Sequence, residues 1–449
     1  MIPAIGRSAR WAALAVAALT LVAACGGNTS TSNGQTSFKG TKKIGISTAL
    51  TGQSQLYGHA ISQSLQLAAD DVNKAGGVNG YKIEMDILDD NTQVTNAVNN
   101  VKQLILQDNV SALIGPVTSG QCQAITPIAK QNSTIVIDAT CNSYQLTTEP
   151  DLVNKYWVSI VPNTFMEGVA AGQLAGKTGA KRIFIVSPKY LFGVSETNAF
   201  VASLKKAAPS ATIVNDPSTW YVPFPTNPRW DSTIAAIQAA KPDLVYSNIF
   251  AADQINFINQ ALQVDPNWFQ KYPMSTLASV DELQTLKDKY PLGMHLYMRA
   301  PFFAIQNGNP KLQDFVKRYH DKYSEYPSDW AVMDYDALQM YAKAANAAKS
   351  FDPDKVREQI VGKSFDSLRG YKFTIRSGDQ QANVGETVGD TADSKGQYAF
   401  PVLGNVTTLK GDDMLMPTTI MQELQAGKCE KNGDPTTTDF SLCPSWKSS

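Results

Sequence analysis

The chain has 449 residues, 43% apolar and 18% charged, the balance of a globular protein too long for one hydrophobic core. Its 39 basic and 40 acidic residues leave a formal charge of −1, so there is no cationic excess to neutralise phosphates and nucleic acid is excluded as a partner. Three histidines, His59, His295 and His320, are too few and too scattered for a metal set or a nucleophilic triad. No Gly-x-Gly-x-x-Gly follows a strand and no phosphate loop is present, so neither catalysis nor a cofactor is expected.

Taken in chain order, the first segment is a processing signal. Arg7 and Arg10 precede 14 uncharged residues from Trp11 to Ala24, and Leu21-Val22-Ala23-Ala24-Cys25 puts small residues directly before a cysteine. The run is short of the ~20 residues that span a bilayer. It resembles a bacterial lipoprotein signal, which implies removal of residues 1–24 and a lipid on Cys25 at an outer membrane face. Removal leaves 37 basic and 40 acidic residues, a charge of −3. Residues 25–41 are dominated by Gly, Ser, Thr, Asn and Gln, cannot bury enough surface to fold, and would act as a flexible tether.

Alternating strands and helices follow. Ile44, Ile46 and Ala49-Leu50 form a short apolar run broken by Thr51-Gly52. Ile61, Leu65, Ala68, Ala69 and Val72 recur at helical spacing, Ala75-Gly76-Gly77 ends that helix, and Val78-Asn79-Gly80 turns into the strand that runs to Asp89-Asp90. This is a strand-helix-strand unit of a parallel sheet. A second helix takes Val94 to Ile105, with strands at Ala112-Leu113-Ile114 and Ile135-Val136-Ile137 either side of a third helix around Ile125 and Ala129. Tyr156 to Val161 reads as a strand leaving the first lobe. The pattern repeats with strands at Arg182 to Val186 and Asp243 to Ser247 and helices over Thr164 to Lys177, Gly193 to Ala207, Asp231 to Ala240 and Ala252 to Val264. Helices over Pro310 to Tyr323 and Trp330 to Ala348 come later. The reading is an α/β fold of two doubly wound parallel-sheet lobes. The aromatic cluster Trp220, Tyr221, Phe224 and Trp230, broken by prolines, reads as a long folded loop.

Four cysteines remain after Cys25. Cys122 lies at a helix start and Cys141 just after the next strand, so a bridge would staple two loops at one sheet edge, worth roughly 3 kcal/mol in a chain-entropy picture. Cys429 and Cys443 bracket a polar stretch that cannot hold itself. Their even count and exported context favour two disulfides. Beyond Lys410 the polar, Thr-rich sequence is expected to be a surface tail, residues 410–449, closed by the second pair.

The stretch from Ile44 to Asp90, with Gly115-Pro116-Val117-Thr118-Ser119, Ala139-Thr140, and Pro327-Ser328 followed by Tyr335-Asp336-Ala337, resembles the extracytoplasmic solute-binding proteins of ABC importers, in particular the branched-chain amino acid and amide group. The resemblance implies a type I periplasmic binding protein fold, two lobes joined by a hinge. Lobe 1 would take residues 42–160 and 299–370, and lobe 2 residues 161–298 and 371–409. It also implies a ligand held in the interlobe cleft. On the first lobe the ligand residues would be Gln55 and Tyr57 in the first loop, then Ser119, Gly120 and Gln121, then Ala139 and Thr140. Helix starts near Gly58 and Gly120 would aim backbone N–H groups at a carboxylate or carbonyl oxygen there. Capping is the commonest role of residues such as Ser119 and Thr140, and is compatible with ligand contact.

On the second lobe the resemblance assigns Tyr190 or Phe192, Phe250 and Leu277 to the ligand's body. Here the chain departs from amino acid binders, whose acid pairs with the ligand's ammonium group: the matching stretch Met274 to Ala278 has no acid before Asp281. An unpaired buried ammonium costs several kcal/mol, so an apolar or aromatic carboxylate or amide is favoured. Asp253 or Asp281 reaching the site would restore amino acid binding. The expected function is the substrate-binding component of an ABC importer, a monomer delivering a small solute to a membrane permease. The alternatives are a branched-chain amino acid receptor and a ligand-sensing lipoprotein uncoupled from transport.

Overall fold

The computed structural model describes residues 37–225, 229–431 and 438–448; the signal segment, Cys25 and most of the tether lie outside the described residues. Among the described residues no helix is long and apolar enough to cross a membrane. The first sheet contains β1 (Thr41–Thr48), β2 (Lys82–Asp89), β3 (Leu113–Ile114), β4 (Val136–Asp138) and β5 (Trp157–Ser159), all parallel in the order β2-β1-β3-β4-β5. Ile44 and Ile46 of β1 are buried on one face and helix Gln55–Lys74 packs its stripe of Ile61, Leu65, Ala68 and Val72 against the same core. That helix ends where expected. Gly76 and Gly77 take φ of +99° and +75°, and a Cβ on Gly77 would sit 2.0 Å from the Tyr81 carbonyl oxygen.

The second sheet begins with β6 (Arg182–Pro188), β7 (Thr212–Ile213), β8 (Tyr221–Val222), β9 (Leu244–Ser247), β10 (Met274–Leu277) and β11 (His295–Met298). β12 (Ser364–Asp366) and β13 (Lys372–Thr374) form a separate hairpin. β14 (Glu386–Ala392) and β15 (Val402–Leu409) then return to the second sheet, whose order is β15-β14-β11-β10-β9-β6-β7 with β8 beside β6. β14 and β15 add antiparallel to an otherwise parallel sheet. Each sheet is therefore an open α/β layer, and the segments passing between them follow β5, follow β11 and precede β14. Side chains lace these crossings together: Gln381 Nε2 donates to the Val161 carbonyl at 2.7 Å, and Arg369 Nη2 to the Ile160 carbonyl at 2.9 Å.

Two helices of the second lobe, Thr164–Thr178 and Leu191–Ala207, run against each other at unusually close range. Gly168, Gly172 and Gly176, four residues apart, make one stripe, facing Ala199, Ser203 and Ala207 at the same spacing. A Cβ at Gly168 would lie 2.3 Å from the Ala199 Cβ, and one at Gly172 2.5 Å from the Ser203 Cβ.

The C-terminal segment differs from the expected surface tail. Helix Thr418–Gln425 buries Ile420, Met421 and Leu424, and these pack with Met416, Phe440, Tyr144 and Phe165 into a third hydrophobic cluster. Tyr144 Oη donates to the Thr438 carbonyl at 2.9 Å, and Thr438 Oγ1 donates to Glu149 at 2.5 Å. The Thr-rich composition hid the apolar spacing of 420, 421 and 424, one short amphipathic face. Both disulfides are formed, Cys122–Cys141 and Cys429–Cys443.

Candidate functional site

The carboxyl ends of the strands of both sheets face each other across a cleft, and a nearly closed cavity of about 20 Å³ lies between them. Seven of the eleven candidate ligand residues line it: Tyr57, Ser119, Thr140, Tyr190, Phe192, Phe250 and Leu277. Ser119 opens the helix Ser119–Gln131, whose cap is Thr118 in a reciprocal box with Gln121. Its Oγ accepts from the Ser143 backbone N–H at 3.2 Å. Thr140 Oγ1 donates to the Pro116 carbonyl at 2.6 Å, joining the loops after β3 and β4.

The other four candidates lie elsewhere. Gln55 is exposed, because the first helix begins at Gln55 and not near Gly58. Gly58 instead lies inside the helix, where a Cβ would be 2.0 Å from the Ala49 carbonyl oxygen, a packing constraint and not a ligand one. Gln121 turns its Oε1 back to Thr118 as the cap partner. Ala139 is fully buried beside the cavity and Gly120 is partly exposed near Tyr190; neither is among the lining residues. Asp253 and Asp281 do not line the cavity either.

Four lining residues were missed: Val117, Asn142, Arg299 and Trp330. Val117 and Asn142 flank candidates that the resemblance did assign. Trp330 begins helix Asp329–Ala348, and Arg299 follows β11 at the second crossing; neither has a local motif to mark it.

Aromatic rings make most of the wall. Tyr57 stacks on Phe250 with centroids 5.9 Å apart and tilts against Trp330 at 4.8 Å. Phe192 meets Phe250 edge-on at 5.6 Å. Tyr190 is held from behind by Phe224, stacked at 4.2 Å, so the prolines around Phe224 shape one side of the site. Contacts cross the cleft directly. Gln53 Nε2 donates to the Phe250 carbonyl at 3.1 Å, and the Tyr57 hydroxyl donates to Glu282. Ala251, in a left-handed conformation at φ +50°, gives its N–H to the same Glu282 oxygen at 2.7 Å. Asp329 binds the N–H groups of Val280 and Ala300, at 3.0 and 2.7 Å.

Arg299 is the one cation in the cavity wall, and no acid lines it. It is 4% exposed, its Nε lies 2.6 Å from Glu167 Oε1, and its guanidinium sits 4.4 Å over the Trp330 ring. Among the described residues no hydrogen bond engages its two terminal nitrogens. Behind it lie three fully buried carboxyls, Glu167, Glu196 and Glu386. Burial, then the charge of Glu167, raises Glu196 to about 8. Burial and the same neighbour hold Glu386 well above its ordinary value. Burial opposes the charge on Arg299, but the acids, Glu167 first, outweigh it and keep it protonated. Burial also raises Glu167, against the opposing charge and contact of Arg299, so the cluster pairs one buried cation with three carboxyls all pushed toward their protonated forms, of which Glu196 carries its proton at neutral pH.

This has a pH signature. Glu196 holds a proton in the folded state up to about 8, whereas the unfolded chain releases it near 4.5, so between these values the folded state binds more protons. Raising pH from about 5 to 8 should therefore lower stability by roughly a few kcal/mol. Tyr246 and Tyr297 both donate to Glu196 Oε1, at 3.0 and 2.5 Å, bonds that a glutamine carbonyl also accepts. Glu196→Gln should reduce the dependence of melting temperature on pH, the remainder coming from Asp138, raised by burial to about 7, and Asp329 and Asp336, each raised by burial to about 6, while leaving the pH 5 value nearly unchanged.

The comparisons with known proteins agree with this architecture. The periplasmic binding protein family matches residues 41–392, most of the chain. The chain belongs to that family. A Leu/Ile/Val-binding protein, BraC3, of Rhizobium johnstonii is 27% identical over 207 residues, 45% of this chain and 53% of the relative, so the match spans about half of that protein. A periplasmic binding protein of Burkholderia mallei superposes with a TM-score of 0.74 at 19% identity, covering 84% of this chain and 97% of the other. An ABC transporter solute-binding protein of Rhodopseudomonas palustris, solved with 3,4-dihydroxybenzoic acid, superposes with a TM-score of 0.71 at 20% identity, covering 83% and 98%. These relatives and neighbours are binding proteins and not enzymes. Membership implies that this periplasmic binding protein works outside the cytoplasm, the setting in which its two disulfides persist.

Proposed function

We propose that this periplasmic binding protein captures a compact organic carboxylate with an apolar or aromatic body and hands it to the membrane permease of an ABC importer. The observation that carries the reading is the wall of the cavity: five aromatic rings, one buried arginine with free terminal nitrogens, and no carboxylate. A carboxylate would meet the fork of Arg299 and the hydroxyl of Ser119, whose oxygen accepts from Ser143 and whose proton is free to donate, while the body lies among Tyr57, Phe192, Phe250 and Trp330. A free amino acid would bring an ammonium group into a wall with no anion to receive it. The neighbour solved with 3,4-dihydroxybenzoic acid supports this class, and the Leu/Ile/Val-binding relative supports the competing one. On this reading the protein performs no chemistry on its ligand, acts as a monomer, and is held at the membrane by a lipid on Cys25.

The test is a thermal-shift and calorimetric screen of the purified protein with benzoate, hydroxybenzoates, aliphatic carboxylates, amides and leucine. A ligand at about 100 times its dissociation constant stabilises by roughly 2.7 kcal/mol, a shift of several degrees. Shifts with carboxylates lacking an ammonium group, and none with leucine, are expected. A shift with leucine and none with the others would replace this reading by an amino acid receptor.

A further inference from the structure

Apart from its aromatic residues, the wall of the cleft cavity carries polar side chains at Ser119, Thr140, Asn142 and Arg299. Arg299 and Ser119 offer donors to a bound molecule, and Thr140 gives its own proton to the Pro116 carbonyl. Asn142 differs from all three. It is 3% exposed, and its Nδ2 donates to Glu167 Oε2, which orients the amide from behind. Its carbonyl oxygen, Oδ1, accepts no hydrogen bond among the described residues. Nor is that oxygen sealed in the protein, as both side-chain polar atoms of Asn248 are, so the opening it keeps is onto the cavity that Asn142 lines. An amide carbonyl left unpaired in a closed, aromatic-walled space costs binding energy unless the captured molecule brings a donor to it.

Glu167 fixes where that donor must sit. Its Oε2 takes the Asn142 amide and its Oε1 stands 2.6 Å from Arg299 Nε, so one carboxyl holds the amide and the guanidinium side by side. A carboxylate held by Arg299 therefore brings the carbon next to its carboxyl group beside Asn142 Oδ1. The donor that fits there is uncharged. A hydroxyl gives its hydrogen to Oδ1, whereas an ammonium group would lie beside the Arg299 charge with a neutral carbonyl to receive it.

We propose that Asn142 makes the cleft selective for 2-hydroxy carboxylates, its Oδ1 accepting from the hydroxyl on the carbon beside the carboxylate that Arg299 holds. The proposal rests on the carboxylate reading of the cleft and names the class of solute within it.

The experiment is isothermal titration of the purified protein with two matched sets of acids. One is phenylacetate with its 2-hydroxy and 2-oxo forms, the other 4-methylpentanoate with its 2-hydroxy and 2-oxo forms, each hydroxy acid as both enantiomers. In the set that binds more tightly, one enantiomer of the hydroxy acid should bind at least about tenfold better than the parent acid and than the oxo acid, which offers an acceptor where Asn142 needs a donor. Asn142→Ala should bring the ratio of hydroxy acid to parent acid affinity to about one, whatever it does to both, and a melting curve shows that the variant is folded. The comparison within each set needs no variant and decides the matter if this one does not fold. Equal affinity for hydroxy and parent acids, preference for the oxo acid, or an unchanged ratio in a folded Asn142→Ala overturns the proposal and leaves the carboxylate reading standing. Binding of none of the acids overturns both.

Discussion

Replacing Arg299 with methionine should remove carboxylate binding and destabilise the fold by about 3–5 kcal/mol in one step. The two effects have different origins. The stability loss comes from Glu167, fully buried and left without its cation beside two further buried carboxyls, Glu196 and Glu386. Its remaining partner, the Asn142 side-chain amide, supplies a hydrogen bond but no charge. The binding loss comes from the guanidinium fork that faces the cavity. Chemical denaturation and calorimetry on Arg299→Met/Glu167→Gln separate them, because the second change removes the stranded charge. The double variant should regain most of the stability and none of the affinity. A single variant as stable as the parent would mean that Glu167 simply takes up a proton at no cost, and the ion pair would lose its structural role.

The glycine seam of the second lobe should be comparably intolerant. Gly172→Val requires helices Thr164–Thr178 and Leu191–Ala207 to separate, because the first added carbon already meets the Ser203 Cβ at 2.5 Å and the Leu204 backbone nitrogen at 2.9 Å. Neither is the far end of a flexible side chain. A loss of about 3 kcal/mol or more is expected in urea or guanidinium titration. Gly172→Ala should cost less, and Ser203→Gly in the same chain should recover part of it by removing the opposing Cβ. An additive double variant would show that the seam yields by backbone movement. The seam matters to the site because Glu167 and Glu196 ride on these two helices, one on each.

Much of the fold was legible because strands and helices alternate with clean periodicity. Helices Asp231–Ala240 and Pro310–Tyr323 fall where the sequence places them, and Ala251–Val264 and Asp329–Ala348 differ by one residue at their starts. The loops after β3 and β4 were legible for a topological reason: in a parallel sheet the carboxyl ends are where loops and helix starts gather. Gln121 and Gln55 show the limit of that reasoning. A polar residue at a helix start serves the cap or the solvent as readily as a ligand, and only the register of the helix decides. Arg299 was not legible at all. It sits in a crossing segment with no motif, and its meaning depends on Glu167, 132 positions earlier, and on Trp330, both brought to it by the tertiary fold. The C-terminal segment failed for the opposite reason, since a local apolar face was present at Ile420, Met421 and Leu424 but was outweighed by the polar residues around it.

The bonds that cross the cleft, Gln53 to the Phe250 carbonyl and Tyr57 to Glu282, include groups that stand outside the cavity lining. Gln53 and Glu282 can therefore act on how long a captured molecule stays without acting on how it is recognised. Escape requires those bonds to part first, so residence time and selectivity are written in different residues. Such a receptor can be tuned for rapid hand-over or for long retention while its choice of cargo stays the same.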